Sequence, residues 1–155
     1  MTGAAEGESA RRPPEPPDPH ADLARNKAVV AEFIEIIWRQ GKLDDLGRFW
    51  TADCVNHADP LPAKVGLDPL RQYHAGFAEA FADFTAPTIE ILQQVAEGEL
   101  VVTHLATRAT HTLTGRRVSL STIRIDRLRR ERIAEHWSVA DMAGLMAQIE
   151  GPTRP

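Results

Sequence analysis

The chain has 155 residues, of which 43% are hydrophobic and 26% are charged, and its formal net charge is −4. These values are typical of one globular domain, and the negative charge argues against a nucleic-acid partner. The single cysteine, Cys54, excludes an internal disulfide and no apolar run reaches the roughly 18 residues of a membrane-spanning helix, so we expect a cytoplasmic protein with no membrane partner.

The first segment, MTGAAEGESARRPPEPPDPH, contains five prolines and no apolar residue larger than alanine after Met1. Proline lacks a backbone N–H group, and a segment so poor in apolar side chains cannot form a core. It also lacks the apolar stretch of a secretory signal. We predict a disordered tail over residues 1–20 and a single domain over residues 21–150.

Three helices are predicted in the first half of the domain. In the first, apolar residues recur at helical spacing from Leu23 to Trp38, with Asp22 as the N-cap. A short helix over residues 43–50 and a short strand follow, and Asp68 is expected to cap the third helix. The apolar stripe of that third helix consists of Leu70, Tyr73, Phe77, Phe81 and Phe84.

Four strands are predicted after Pro87, where apolar and polar residues alternate. Turns near Gly98, Thr114–Gly115 and residues 129–131 separate the strands, and a last helix follows Asp141. Helices first and long antiparallel strands afterwards predict an α+β fold, in which a curved antiparallel sheet packs against the N-terminal helices. Such a sheet encloses a cone-shaped interior that suits a small hydrophobic molecule.

The segment AEHWSVAD, residues 134–141, places a polar pair in a predicted strand. In a regular strand alternate residues face the same side, here Ala134, His136, Ser138 and Ala140. Ile133 and Trp137 are expected on the opposite side. The neighbours of His136 are small, which indicates space beside it, whereas a packed core would carry larger apolar residues. His136 is therefore either a hydrogen-bonded core histidine or a pocket residue.

The order and spacing of several motifs resemble the SnoaL-like polyketide cyclases of the nuclear transport factor 2-like superfamily. The motifs are AEGELVVTHLATRATHT, TGRRVS, IRIDRL and RIAEHWSVADMAGLMAQI, preceded by VNHADPLPAKVG and by AFADF, which has Ala82 where the family has proline. The resemblance extends from Asn26 to Ile149. It implies a cone-shaped α+β barrel, a homodimer, and a cofactor-independent enzyme that closes a ring in a polyketide-type intermediate, as in antibiotic biosynthesis.

The resemblance also draws attention to Ser138. In the cyclases that the chain resembles, an aspartate two residues after a histidine on the final strand is the general acid/base, and Ser138 occupies that position. A serine hydroxyl is not basic near neutral pH, so aldol chemistry and a shape-driven pericyclic closure both stay open. His136 becomes the leading acid/base, since an unperturbed histidine pKa is about 6.5.

Three further polar residues have two interpretations each. His57, where a strand enters a loop, is either at the pocket or on the surface. Asp59 is either a pocket carboxylate or a turn cap. Arg124 lies among apolar residues, so it either forms an ion pair, with Asp126 or Glu135, or faces a polar ligand.

Together these considerations give a list of candidate site residues. The predicted catalytic residues are His136, Ser138, His57 and Arg124. The predicted substrate-binding residues are Trp38, Asp59, Tyr73, Phe81, His104 and Arg108. His104 and His111 lie on opposite faces of a regular strand, and we prefer His104. No closely spaced pair of His or Cys ligands is present, so neither a metal nor another cofactor is predicted.

Two other classes of function remain open at this point. One is an isomerase or epoxide hydrolase acting on an apolar substrate, as in the ketosteroid isomerase and epoxide hydrolase branches of the superfamily. The other is a binding or assembly module without catalysis. The superfamily resemblance further implies a homodimer formed through the open face of the sheet, to which Ile123 and Ile125 would contribute.

Overall fold

A computed structural model describes residues 22–58, 62–81 and 89–151 of the protein. The predicted tail over residues 1–20 lies outside these residues, as does Asp59. The helices are α1 (Leu23–Phe33), which continues as a π-helical segment (Ile34–Arg39), a 3₁₀ turn (Leu43–Asp45), α2 (Leu46–Phe49), α3 (Leu67–Ala80) and α4 (Met142–Glu150). The strands are β1 (Trp50–Ala58), β2 (Lys64–Val65), β3 (Ile89–Glu97), β4 (Leu100–Thr110), β5 (Arg117–Arg129) and β6 (Arg132–Ala140).

Within the described residues, six strands form one curved sheet in the order β2-β1-β6-β5-β4-β3. Neighbouring strands are antiparallel, except that β1 and β6 run parallel. Helix α1 packs on β3 and β4, and α3 packs on β1. The predicted α+β fold is therefore confirmed, with one parallel pair that the prediction of an antiparallel sheet did not include.

The core lies between the helices and the face of the sheet that they cover, which we call the inner face. Strand β4 illustrates this arrangement, because every second residue along it is buried. Val101, Thr103 and Leu105 face inward, and Val102 and His104 lie on the opposite, outer face. The largest apolar cluster joins α1 to this inner face and includes Val30, Phe33, Ile34, Ile37, Leu46, Trp50, Leu128 and Ile133.

The helix caps agree with the sequence at two positions and differ at one. Asp22 accepts a hydrogen bond from the backbone N–H of Arg25 at 3.0 Å, and Asp141 caps α4 in the same way. Asp68 does not cap α3, because the helix already begins after Gly66, whose φ of 91° favours glycine. The Asp68 carboxylate instead accepts a hydrogen bond from Arg71 within the first turn.

Two local irregularities shape the interior. Helix α1 changes to π-helical geometry at Ile34, and this segment carries Trp38 to the interior. Strand β6 contains a bulge at Ala134, since Leu128 pairs with Ile133 but Arg127 pairs with Glu135. The expectation that Ile133 shares a face with Trp137 is therefore wrong, because the bulge turns Ile133 inward, where it is fully buried.

The boundary between α2 and β1 also differs from the prediction. Trp50 was expected to end the short second helix, but it begins β1 and is buried in the core. Strand β1 has nine residues and is not short. Its length brings Asn56 and Ala58 alongside His136 and Ser138 of β6.

Candidate active site

A cavity of about 220 Å³ lies between the inner face of the sheet and the helices. Much of its wall is aromatic or aliphatic and includes Phe33, Trp38, Trp50, Leu70, Phe77 and Leu105. The sheet contributes most of the polar groups, which are Asn56, Thr107, Thr122, Arg124, His136 and Ser138. An apolar cavity with a few grouped polar side chains is typical of a small-molecule site.

Strand register brings the polar residues of the sheet wall together. Asp126 of β5 lies opposite His136 of β6, and Asn56 of β1 lies on the other side of His136. Two residues further along the same face, Arg124 lies opposite Ser138. Because side chains alternate with a period of two, all five point to the inner face. Three neighbouring strands thus build one polar patch, which we call the sheet-wall cluster.

Within this cluster Asp126 and His136 form a buried pair. The Nδ1 atom of His136 lies 2.8 Å from Oδ1 of Asp126. The Asp126 side chain is fully buried, and His136 is 7% exposed. An ionised carboxylate only accepts hydrogen bonds, so Nδ1 of the imidazole is the donor and Nε2 keeps its lone pair for a ligand. A histidine oriented in this way by an aspartate can act as a general base.

Arg124 binds the same carboxylate with two hydrogen bonds. Its Nε donates to Oδ2 of Asp126 at 2.8 Å, and its Nη2 donates to Oδ1 at 2.7 Å. Its guanidinium carbon lies 4.8 Å from the ring centroid of Phe33. Nη2 is also 3.4 Å from Nδ1 of His136, but both nitrogens carry hydrogen, so we interpret this as a contact only. Arg124 therefore both forms an ion pair, with Asp126 as its partner, and lines the cavity.

The charges of this cluster fix its protonation state. Burial raises the pKa of Asp126, but the positive charge of Arg124 and the hydrogen bonds from His136 and Arg124 outweigh burial. The net result is a pKa lowered to about 2. Burial lowers the pKa of His136, and Arg124 adds to this effect against the opposing influence of Asp126. At neutral pH the carboxylate is ionised and the imidazole is neutral. His136 can therefore take up a proton at Nε2.

Two uncharged polar groups accompany His136 in the sheet wall. The side-chain oxygen of Asn56 accepts a hydrogen bond from the backbone N–H of Ala58 at 3.2 Å, so its NH₂ group is available to a ligand. Ser138 lines the cavity two residues along β6 from His136, on the same face of the strand. A hydroxyl and an amide in this position can donate hydrogen bonds to an oxygen that develops negative charge.

Three predicted site residues lie on the outer face of the sheet and not at the cavity. His57 lies on the outer face, where its Nε2 is 2.9 Å from a Glu135 carboxylate oxygen and its ring stacks on Trp137. His104 also lies on the outer face and contacts the hydroxyl of Ser121 at 2.9 Å, and Arg108 is exposed on that face. The reason is alternation, because the cavity receives their neighbours instead, such as Asn56.

The remaining predicted residues are divided. Trp38 and Tyr73 line the cavity, from the π-helical segment and from α3 respectively. Phe81 does not, since it directly follows α3 and belongs to a second apolar cluster with Ala109, Val118 and Leu145. Asp59 lies outside the described residues.

Two buried polar residues of the site, Asp126 and His74, were not predicted as site residues. Asp126 was considered only as an ion-pair partner of Arg124, although it shares the inner face and pairs with His136 across the strands. His74 lines the cavity from α3 and was not considered. Its spacing was a usable signal, because His74 follows Leu70 by four residues and so falls on the apolar stripe of the helix.

Two further properties concern only the residues described in the ranges given above. Within them, no group of three or more His, Cys, Asp or Glu side chains is arranged to hold a metal ion. Within the same ranges, every helix is too short or too polar to cross a membrane.

Known structures with the same architecture come from several bacteria. A protein of Jannaschia sp. CCS1, described as a SnoaL-like polyketide cyclase, has a TM-score of 0.77 at 17% identity, over 88% of this chain and 99% of its own. AclR of Streptomyces galilaeus, described as a hydroxylase, has a TM-score of 0.72 at 25% identity, over 86% and 87%. IdmH of Streptomyces antibioticus, described as a polyketide cyclase, has a TM-score of 0.69 at 22% identity, over 81% and 99%.

The sequence itself gives the family. Among curated protein sequences, none matches this chain significantly. Residues 28–149, however, match the sequence profile of the SnoaL-like polyketide cyclases. This range holds all six strands and the whole sheet-wall cluster, and it agrees with the resemblance of motifs such as AEHWSVAD. The chain therefore belongs to the SnoaL-like polyketide cyclase family.

Proposed function

We propose that the protein is a cofactor-independent cyclase that forms a carbon–carbon bond within a polyketide-type intermediate, with His136 as its general base. The observation that carries this proposal is the buried pair of Asp126 and His136 in the wall of an apolar cavity. Family membership supports the class of reaction. The geometry supports the choice of base, because the carboxylate fixes the tautomer in which Nε2 faces a ligand.

The proposed reaction is an intramolecular aldol addition. Nε2 of His136 takes a proton from the carbon next to a carbonyl group, and the electron pair of that C–H bond moves to the carbonyl oxygen as an enolate. Ser138 and Asn56 donate hydrogen bonds to this oxygen. The enolate carbon then attacks a second carbonyl of the same molecule, and the new alkoxide takes the proton back from His136. Ser138 thereby serves as a donor and needs no basicity.

The described cavity wall favours this reaction over the isomerase and epoxide hydrolase alternatives. Those branches use a carboxylate that faces the substrate. Among the described residues that line the cavity, none is an aspartate or glutamate. Asp126 lies behind the wall, where Arg124 and His136 occupy its oxygens. A pericyclic closure would need only the shape of the cavity, so the test must separate it from base catalysis.

We further propose that the protein acts as a cytoplasmic homodimer. The outer face of the sheet carries a row of apolar residues that includes Val139, 65% exposed, Ile123 and Ile125. An apolar sheet face of this kind is typical of a surface that is covered by a partner. One cysteine, which is free and buried, requires no oxidising compartment.

A gene deletion tests the reaction even while the substrate is unidentified. The gene is deleted in its native host, and the small molecules are compared with those of the parent strain by mass and ultraviolet spectra. We expect a product that lacks one ring or is isomeric with the normal product. An unchanged metabolite profile would favour a binding module without catalysis.

Complementation then tests the base. Wild-type protein should restore the normal product, and His136→Ala should not. His104→Ala is the matched control, because it removes a histidine from the outer face of the same sheet. Full rescue by a well-expressed His136→Ala would refute base catalysis and indicate closure driven by shape.

A further inference from the structure

His74, in the middle of α3, is a buried polar residue that the proposed reaction does not use. It is 5% exposed and lines the same cavity as His136. Neither of its ring nitrogens has a hydrogen-bond partner among the described residues. Buried polar groups in native proteins are nearly always hydrogen-bonded, and one left unpaired is costly. Within the described part of the chain, the ring nitrogens of His74 therefore remain available to a ligand in the cavity.

The surroundings of His74 consist of aromatic rings. The ring centroid of Trp38 lies 4.3 Å away, that of Tyr73 lies 5.5 Å away, and that of Phe33 lies 5.8 Å away. All three rings meet the imidazole at steep angles, from 65° to 76°. These contacts hold the imidazole in one orientation. Ring faces are much weaker acceptors than oxygen atoms.

The electrostatic environment keeps His74 uncharged. Burial lowers its pKa, and the positive charge of Arg124, joined by that of His136 once it is protonated at acidic pH, lowers it further, to about 3. A neutral imidazole has one N–H donor and one nitrogen acceptor. It is too weakly basic to remove a proton from carbon, but it can donate a hydrogen bond to a carbonyl oxygen, as a neutral histidine does in other enzymes.

The position of His74 differs from that of the sheet-wall cluster. His136, Ser138 and Asn56 belong to the strands, whereas His74 projects from the helix layer that covers them. Apolar side chains such as Leu70 and Leu105 make up much of the wall around both. The cavity thus has a polar group on its helix side, His74, in addition to the sheet-wall cluster.

From this arrangement we infer that His74 is a second substrate-binding group, which donates a hydrogen bond from its ring N–H to an oxygen of the ligand. The ligand class is a molecule with at least two ketone or enol oxygens joined by an apolar segment. One oxygen lies at the sheet-wall cluster and the other lies at His74. This inference rests on the proposed function only in assigning both oxygens to one substrate.

Three probes of nearly equal shape test the inference with the full-length protein. 2,6-Diacetylnaphthalene has an oxygen at each end, 2-acetyl-6-ethylnaphthalene has one, and 2,6-diethylnaphthalene has none. Binding is measured for wild type, for His74→Phe, which removes the ring nitrogens, and for His74→Gln, which keeps an N–H donor. The circular dichroism spectrum of each variant establishes that it is folded.

We expect the wild-type protein to bind the diketone about fivefold to tenfold more tightly than the monoketone, as for one added neutral hydrogen bond. His74→Phe should abolish this preference, and His74→Gln should keep part of it. In protein labelled with ¹⁵N at histidine, the ring N–H signal of His74 should shift with the diketone and not with the diethyl compound. An equal preference in wild type and His74→Phe, or an unmoved His74 signal, would overturn the inference.

The same diketone separates this inference from the proposed function. Its acetyl methyl protons are next to a carbonyl, so exchange with deuterium in D₂O reports proton removal by His136. If exchange depends on His136 but the binding preference ignores His74, only the present inference fails. If the preference depends on His74 and no exchange occurs, proton removal by His136 fails and the second binding position stands.

Discussion

The buried, neutral state of His74 has a measurable effect on stability at acidic pH. The folded protein holds this histidine with a pKa of about 3, whereas the unfolded chain has the ordinary value of 6.5. As the pH falls below 6.5, the unfolded chain binds a proton at this position and the folded protein does not. Protons therefore favour unfolding, so the stability supplied by neutral His74 is present above pH 6.5 and is lost as the pH falls.

The size of this effect follows from the two pKa values. One proton taken up only by the unfolded chain costs about 1.4 kcal/mol of unfolding free energy for each pH unit. Between pH 7 and pH 5 His74 should therefore remove about 2 kcal/mol. His136 acts in the same direction, because its pKa is also lowered. Asp126 does not contribute in this window, since its pKa of about 2 and its ordinary value of 3.8 both lie below it.

Urea unfolding of wild type and His74→Phe, at pH 7 and at pH 5 and at one protein concentration, measures the effect. The variant should lose about 2 kcal/mol less than wild type between the two pH values, since phenylalanine does not titrate. His104→Phe is the control for removing a histidine as such, because His104 is only partly buried and lies on the outer face. Equal losses in wild type and His74→Phe would refute a neutral, buried His74.

Four other measurements follow from the site and the sheet. Asp126→Asn should reduce deuterium exchange of the diketone at least 100-fold, because His136 loses the carboxylate that fixes its tautomer, and should destabilise the fold by roughly 3–5 kcal/mol, because Arg124 stays buried without its partner. Ser138→Ala should lower the exchange rate about tenfold without changing its pH profile, whereas complete loss would give Ser138 a larger role. Since the pKa of His136 is lowered, exchange in wild type should persist below pH 6.5 and decline only at more acidic pH; a midpoint above 6.5 would contradict this assignment. Val139→Lys should convert the proposed dimer to a monomer in light scattering, while Ser138→Ala should leave the mass unchanged.

The parts of the fold that follow from local rules could be read from the sequence. The caps at Asp22 and Asp141 depend on a carboxylate and the next few backbone N–H groups, so composition and spacing are sufficient. Alternation within β6 correctly groups His136 with Ser138, because the strand is regular after its bulge. The bulge at Ala134 was not predicted, since no glycine or proline marks it.

Other features depend on how strands pair, which one sequence does not specify. Alternation correctly put His104 and Arg108 on one face of β4, but it could not tell which face the helices cover. The same ambiguity applies to His57, since a shift of one residue along β1 would exchange it with Asn56. Asp126 became part of the site only through its register with His136 across two strands.

The register also explains why a serine at position 138 is compatible with base catalysis. Arg124 lies directly opposite Ser138, so an aspartate at that position would face a buried guanidinium, which lowers the pKa of a carboxylate and makes it a weaker base. It would also compete with Asp126 for the same two hydrogen bonds. In this chain Arg124 is hydrogen-bonded to Asp126, and Asp126 orients the ring of His136. The lone pair on Nε2 of His136 is then left for a ligand. In the proposed mechanism the proton acceptor is His136, two residues back along β6, and the hydroxyl of Ser138 beside it can act as a donor without adding a second buried charge.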